Sequence, residues 1–150
     1  MIDIPAGVRI RSTLRPGAVF YFVEESHAGD TPHFFVVVNR DPQNDPILLL
    51  VNPTSKVDRA KRRRGSFPPK TLVEVAPSKY PHFSLPSLFD CNSITRKTVD
   101  DVIQKLEDEK LKQCPNMRSC VLHRLQAGVL ASPTVERNLK TMLRGNETDR

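Results

Sequence analysis

Apolar and polar positions along this chain follow two regimes. Up to about residue 95 the apolar positions come as short unbroken runs, and beyond it they recur at helical spacing. Ala18-Val19-Phe20-Tyr21-Phe22-Val23 is rich in aromatic and β-branched types and predicts a first strand. His33-Phe34-Phe35-Val36-Val37-Val38 predicts a second, and Ile47-Leu48-Leu49-Leu50-Val51-Asn52 a third, each apolar enough to be buried on both faces. Leu72-Val73-Glu74-Val75 reads as a fourth strand, and Ser87-Leu88-Phe89-Asp90-Cys91 as a short fifth. Turn chemistry separates them: Arg15-Pro16-Gly17, then 24–32 with Gly29, Asp30 and Pro32, then 39–46 with Asp41-Pro42 and Asn44-Asp45-Pro46. The first three strands, joined by such short loops, read as an antiparallel meander.

The second regime predicts three helices. Val99, Val102, Ile103 and Leu106 fall at i, i+3, i+4, i+7 behind Thr98, which can cap a helix running to Glu109. Pro115 can open a second, with Met117, Cys120, Val121 and Leu125 on one face and Gly128 near its end. Ser132-Pro133 reads as the start of a third, with Val135, Leu139 and Met142 or Leu143 on its apolar face. Strands followed by helices indicate an α+β domain. Five short, turn-rich strands within residues 15–95 suit a small, strongly bent antiparallel β-barrel followed by C-terminal helices. One domain is expected over the whole chain, with residues 1–14 as an N-terminal extension, 15–95 as the barrel, 96–144 as the helices and 145–150 as a polar tail.

Residues 53–70 break this pattern. They hold seven Lys or Arg and little that is apolar beyond Val57, Ala60 and Phe67, so they read as a mobile loop or hairpin excursion. The third strand leaves the core through Asn52-Pro53 and presents Thr54, Ser55 and Lys56 just before Arg59 and the run Lys61-Arg62-Arg63-Arg64. Hydroxyls and a cation beside a basic segment suit a phosphate-facing surface, and the segment would neutralise several phosphates. The net charge of +6 and pI near 9.5 favour a polyanionic partner. Phe67, Tyr80 and Phe83 are the aromatic residues near enough in sequence to stack bases or to pack.

Other chemistry is poorly supported. The three cysteines show no structural-zinc spacing: Cys114, Cys120 and His123 lack a tight thiolate pair, and Cys120 falls on an apolar helical face. No metal and no cofactor is expected. Cys91 reads as a buried structural thiol rather than a nucleophile. Neither phosphate-binding glycine signature is present. An odd number of cysteines behind an N-terminus without leader character points to a reducing, cytoplasmic setting, and no apolar run reaches membrane-spanning length. The remaining question is cleavage: metal-free RNA cleavage by the 2′-hydroxyl needs a base, an acid and a positive group. His27 lies in the loop before the second strand, His33 opens that strand, and Thr54 ends the third. In an antiparallel meander these positions lie at one end of the sheet, so His27, His33 and Thr54 are expected to converge.

The order and spacing of these features resemble the MazF/PemK/Kid family of endoribonuclease toxins over residues 15–143. The resemblance rests on Gly17 before Val19-Phe20-Tyr21, on the loop His27-Ala28-Gly29-Asp30-Thr31, and on Pro53-Thr54-Ser55 closing the third strand. It also rests on Leu88 to Ile94 leading into Thr98-Val99-Asp100, and on the amphipathic C-terminal helix. It implies an SH3-like barrel, a homodimer, metal-free cutting of single-stranded RNA and an antitoxin that occupies the groove. It also implies that His27 matches a loop histidine used in some members and Thr54 the threonine that contacts the scissile phosphate. The chain departs from the family where His33 stands at the arginine position, and where Ala18, Asp90 and Asn92 replace an acid, an arginine and an acid.

The expected site is therefore His27, His33 and Thr54 as the catalytic group, with Ser55, Lys56, Arg59, Lys61, Arg62, Arg63 and Arg64 guiding the RNA backbone. Two alternatives stand beside it. One is a non-catalytic module binding RNA, DNA or a partner on the same groove, which the absent arginine favours. The other is a protein-interaction subunit working through helices 98–143.

Overall fold

The computed structural model describes residues 4–24, 29 and 31–144. Its centre is a five-stranded antiparallel sheet built from β1 (Val19–Phe22), β2 (His33–Val37), β3 (Leu48–Val51), β7 (Thr95–Lys97) and β8 (Leu111–Cys114), in the order β7-β3-β2-β1-β8. The expected meander is present. Val19 pairs with Val36 and Phe22 with His33, and Val36 pairs with Val51. A second, three-stranded sheet orders β4 (Pro53–Thr54), β6 (Ser87–Asp90) and β5 (Leu72–Val75) as β4-β6-β5. Both sheets are antiparallel, so the α+β class holds.

The unbroken apolar runs arise because the large sheet is covered on both sides. Phe20, Phe22, Phe35, Val37, Leu48 and Leu50 face one way, against Ile10 and Leu14 of the N-terminal segment and Val102 of α3 (Val99–Glu107). Val19, Val36, Leu49 and Val51 face the other way, against Val73, Phe89 and the helices α4 (Ser119–Ala131) and α5 (Arg137–Arg144). The strands form two antiparallel sheets, and among the described residues no closed barrel is found. The third strand does not end at Asn52; it bends there and continues as β4 in the other sheet, which is how chains turn corners between packed sheets. The large sheet is also strongly curled. Lys97 Nζ on its edge strand lies 2.6 Å from Glu24 Oε1 just past β1, although flat strands three positions apart would stand about 14 Å apart.

Other differences from the sequence reading have local causes. The extension forms a helix, α1 (Ala6–Thr13), in which Ile10, with Leu14 at its C-terminal cap, is a core residue. The basic segment is not an irregular excursion: Val57–Arg63 form α2, anchored by buried Ala60. The last helix begins at Arg137 rather than at Pro133, because the Ser132 hydroxyl and N–H are engaged in a turn with Thr134 and Val129. α3 starts as expected, with Thr98 Oγ1 accepting from the Asp101 N–H at 3.0 Å and the Asp101 carboxylate accepting in return from the Thr98 N–H. Gly17 (φ 89°) donates its N–H to Val37 O at 2.7 Å and accepts from Met117 N–H at 2.8 Å. That left-handed backbone, with Met117 O only 3.3 Å from where a Cβ would sit, requires glycine.

Candidate functional site

The bend at Asn52 creates a groove of about 660 Å³ where the two sheets meet. One wall is formed by β1, β2 and the residues just before β2: Tyr21, Thr31, Pro32, His33 and Phe34. The base is the bent strand, Asn52 through Lys56, and the far wall is the loop leading into β6, with His82, Phe83, Ser84 and Leu85.

The strands dictate this convergence. The β2–β3 register pairs Val36 with Val51 and Val37 with Leu50, and beyond the bend β4 stays beside β2. Thr54 itself pairs with Leu88 of β6. It thus lies between the strand that carries His33 and the strand that the His82 loop feeds. Thr54 Oγ1 accepts a hydrogen bond from the Lys56 N–H at 3.1 Å, which fixes the hydroxyl in the short turn before α2. Ser55 and Lys56 are exposed at the groove's mouth.

An aromatic cluster backs the groove. The Tyr21 and Phe34 rings lie 4.6 Å apart, Phe34 meets Phe83 edge-on at 5.3 Å, and Phe83 lies 4.8 Å from Tyr80. Tyr80 is buried, donates its hydroxyl to Pro115 O at 2.7 Å, and is held above the ordinary tyrosine range chiefly by that burial. Tyr21 and Phe34 are partly buried and line the groove, while Tyr80 and Phe83 are buried packing residues.

The groove therefore gathers His33, Thr54, Ser55 and Lys56 as expected, whereas His27 lies outside the described residues. Of the basic residues, Arg59, Lys61, Arg62 and Arg63 sit exposed on α2, beside the groove rather than in it. Two of the expected phosphate contacts are otherwise engaged. Lys61 pairs with Glu74, whose hydrogen bond and charge raise the lysine above its ordinary range. Arg64 donates through Nε to Asp90 Oδ2 at 2.8 Å and through a second nitrogen to Ser93 Oγ at 3.2 Å, with its guanidinium 4.6 Å from the Phe67 ring centre. It is a structural residue that ties the end of α2 to β6, not a free backbone guide. Arg64→Ala should cost about 2 kcal/mol, because Asp90 is left nearly buried without its cation, while Arg62→Ala and Arg63→Ala stay within about 0.5 kcal/mol. Urea melts of the three variants test this, and an unshifted Arg64→Ala midpoint would contradict it.

His82 is the residue that sequence reading missed. Its proline-rich loop joins β5 to β6, which pair with each other, and its place beside Thr54 became visible only once β6 was seen to pair with β4 as well. Cys91 is fully buried, and burial first, then the Asp90 charge, pushes its thiol up to about 12. It is inert at neutral pH, as its position in the apolar run suggests. Among the described residues no cluster of three or more His, Cys, Asp or Glu is placed to hold a metal ion, and no helix is long and apolar enough to cross a membrane.

No protein-family model matches the chain, and no curated protein matches it.

Proposed function

We propose that the groove binds single-stranded RNA and cleaves it without a metal, as the endoribonuclease toxins that the sequence resembles do. The observation that carries this reading is the gathering of His33, Thr54, Ser55 and Lys56 in one groove backed by Tyr21 and Phe34. Imidazole supplies proton transfer near neutral pH, the hydroxyls and the ammonium suit a phosphate, and the rings that line the groove suit unpaired bases. The exposed cations of α2 at the groove's mouth would carry the RNA backbone onward. The bent strand shared by two sheets and the curled large sheet support the finer reading of an SH3-like toxin fold. A homodimer, an antitoxin protein that covers the groove, and a cytoplasmic setting belong to the same proposal.

A second reading is favoured by one observation: among the described residues Lys56 is the sole Lys or Arg lining the groove, and Arg64 is held by Asp90. In that reading the same groove binds RNA, DNA or a partner and does not cut.

Incubation with a long single-stranded RNA in EDTA separates the two. The expected result is fragments ending in a 2′,3′-cyclic phosphate and a 5′-hydroxyl, at a rate unchanged by the chelator. RNA left intact, but shifted on a gel in a salt-sensitive manner, selects the binding module.

A further inference from the structure

The groove that holds Thr54 is lined by two histidines. On one side His33 opens β2, the strand that pairs with β3 up to the bend at Asn52. On the other, Thr54 pairs with Leu88 of β6, and the loop that enters β6 carries His82. Both histidines line the same groove as Thr54 and Lys56. We propose that His33 and His82 act as an acid–base pair across a phosphate held at Thr54 and Lys56; this inference rests on the RNA-cleaving reading above.

The His82 loop is built as a fixed support. Tyr80 and Phe83, on either side of it, are 2% and 4% exposed. The Phe83 N–H donates to Tyr80 O at 3.0 Å, closing a tight turn, and the Tyr80 hydroxyl is tied to Pro115 O. Phe83 in turn packs against Phe34 on the opposite wall and against Phe89 of β6. His82 itself is exposed at the tip, with its ring centre 5.6 Å from that of Tyr80. An exposed imidazole between two buried aromatic anchors has a fixed base and a short reach, which is what proton transfer in a groove requires.

The arrangement on two walls suits in-line transfer. The RNA 2′-oxygen attacks the adjacent phosphorus, forming the O2′–P bond as the P–O5′ bond breaks on the opposite face. One imidazole, neutral, takes the proton from O2′. The other, protonated, gives its proton to O5′. The products are a 2′,3′-cyclic phosphate and a 5′-hydroxyl, and no other reactant is consumed. Acid and base must therefore stand on opposite sides of the phosphorus, and His33 and His82 come from different walls of the groove, one from β2 and one from the loop before β6. The Lys56 ammonium would face the charge that builds on the non-bridging oxygens.

The test uses the full chain, its His33→Gln and His82→Gln variants, and an oligonucleotide with one scissile linkage at a site the wild type cuts. The oligonucleotide is made with the 5′-bridging atom as oxygen or as sulfur. Sulfur leaves without protonation, so it rescues loss of the acid but not of the base. Each variant should lower kcat on the oxygen linkage by about 10²–10⁴-fold with KM little changed. The sulfur linkage should restore one variant to within about tenfold of the wild type and leave the other impaired. Should His33→Gln fail to fold, His82→Gln decides alone, since His82 is exposed, through the loss of one limb of the bell-shaped pH–rate profile. Wild-type cleavage with His82→Gln equally active overturns this inference and leaves the RNA-cleaving reading intact. Rescue of both variants or of neither also overturns it. Absence of cleavage by the wild type overturns the underlying reading and this inference with it.

Discussion

Phe89→Ala should lower stability by about 4 kcal/mol, which in a chain of this length means a fall in Tm on the order of 10 °C. Phe89 is the central residue of the smaller sheet: it is fully buried, and it pairs with Pro53 of β4 on one side and Val73 of β5 on the other. Its ring lies 6.1 Å from that of Phe83, whose loop carries His82. Truncation leaves a cavity that strands on both sides constrain, so collapse recovers little. The same change loosens the His82 loop, so ligand binding in the groove should weaken even at temperatures where the variant is folded. A urea denaturation showing a loss under about 1.5 kcal/mol would mean that this core relaxes freely and that the two sheets are not rigidly joined.

Gly128→Ala should be nearly as damaging, at about 3 kcal/mol, although alanine is the better helix former. A Cβ at this position of α4 would sit 2.8 Å from Cys91 Sγ and 2.9 Å from Lys70 O. The second of these atoms is backbone and cannot rotate away, so the helix must lift from the sheet. Gly7 in α1 is the control. A Cβ there meets only Ile103 Cδ1 at 3.6 Å, so Gly7→Ala should leave stability unchanged or raise it by about 0.5 kcal/mol. Thermal melts of the two variants side by side test the claim; equal midpoints would show that close approach at Gly128 is not what demands glycine.

Much of the scaffold was legible because burial writes itself into composition. Leu48–Val51 are buried without exception, and only a strand covered on both faces tolerates that run. Thr98 announced α3 because an N-cap and an apolar stripe coincide there. The strands that escaped notice are the sheet edges. Thr95-Arg96-Lys97 and Leu111-Lys112-Gln113-Cys114 are charged or polar, as edges commonly are, and pair on one side only. α2 escaped because its helix-favouring residues lack an apolar stripe; Ala60 is its one buried residue. In the groove, the meander alone predicted that His33 and Thr54 would lie at one end of the sheet, and both line the groove. The fate of Arg64 was illegible because its partner Asp90 lies 26 residues away on a strand of the other sheet. His82 was illegible for the same kind of reason, since it belongs to the wall that only the β4–β6 pairing brings into place.

The bend at Asn52 has a consequence for any genetic selection against the RNA-cleaving activity proposed for this groove. Its two walls belong to different sheets, so the distance between them is set by the packing of Val51, Val73 and Phe89 beneath, not by the residues on view. Substitutions that abolish activity should therefore be recovered in two populations. One maps to the lining, and the other to buried apolar positions between the sheets that never approach a ligand. Members of the second population would still fold and melt cooperatively, because a change of an ångström in groove width is enough to part groups that must act together.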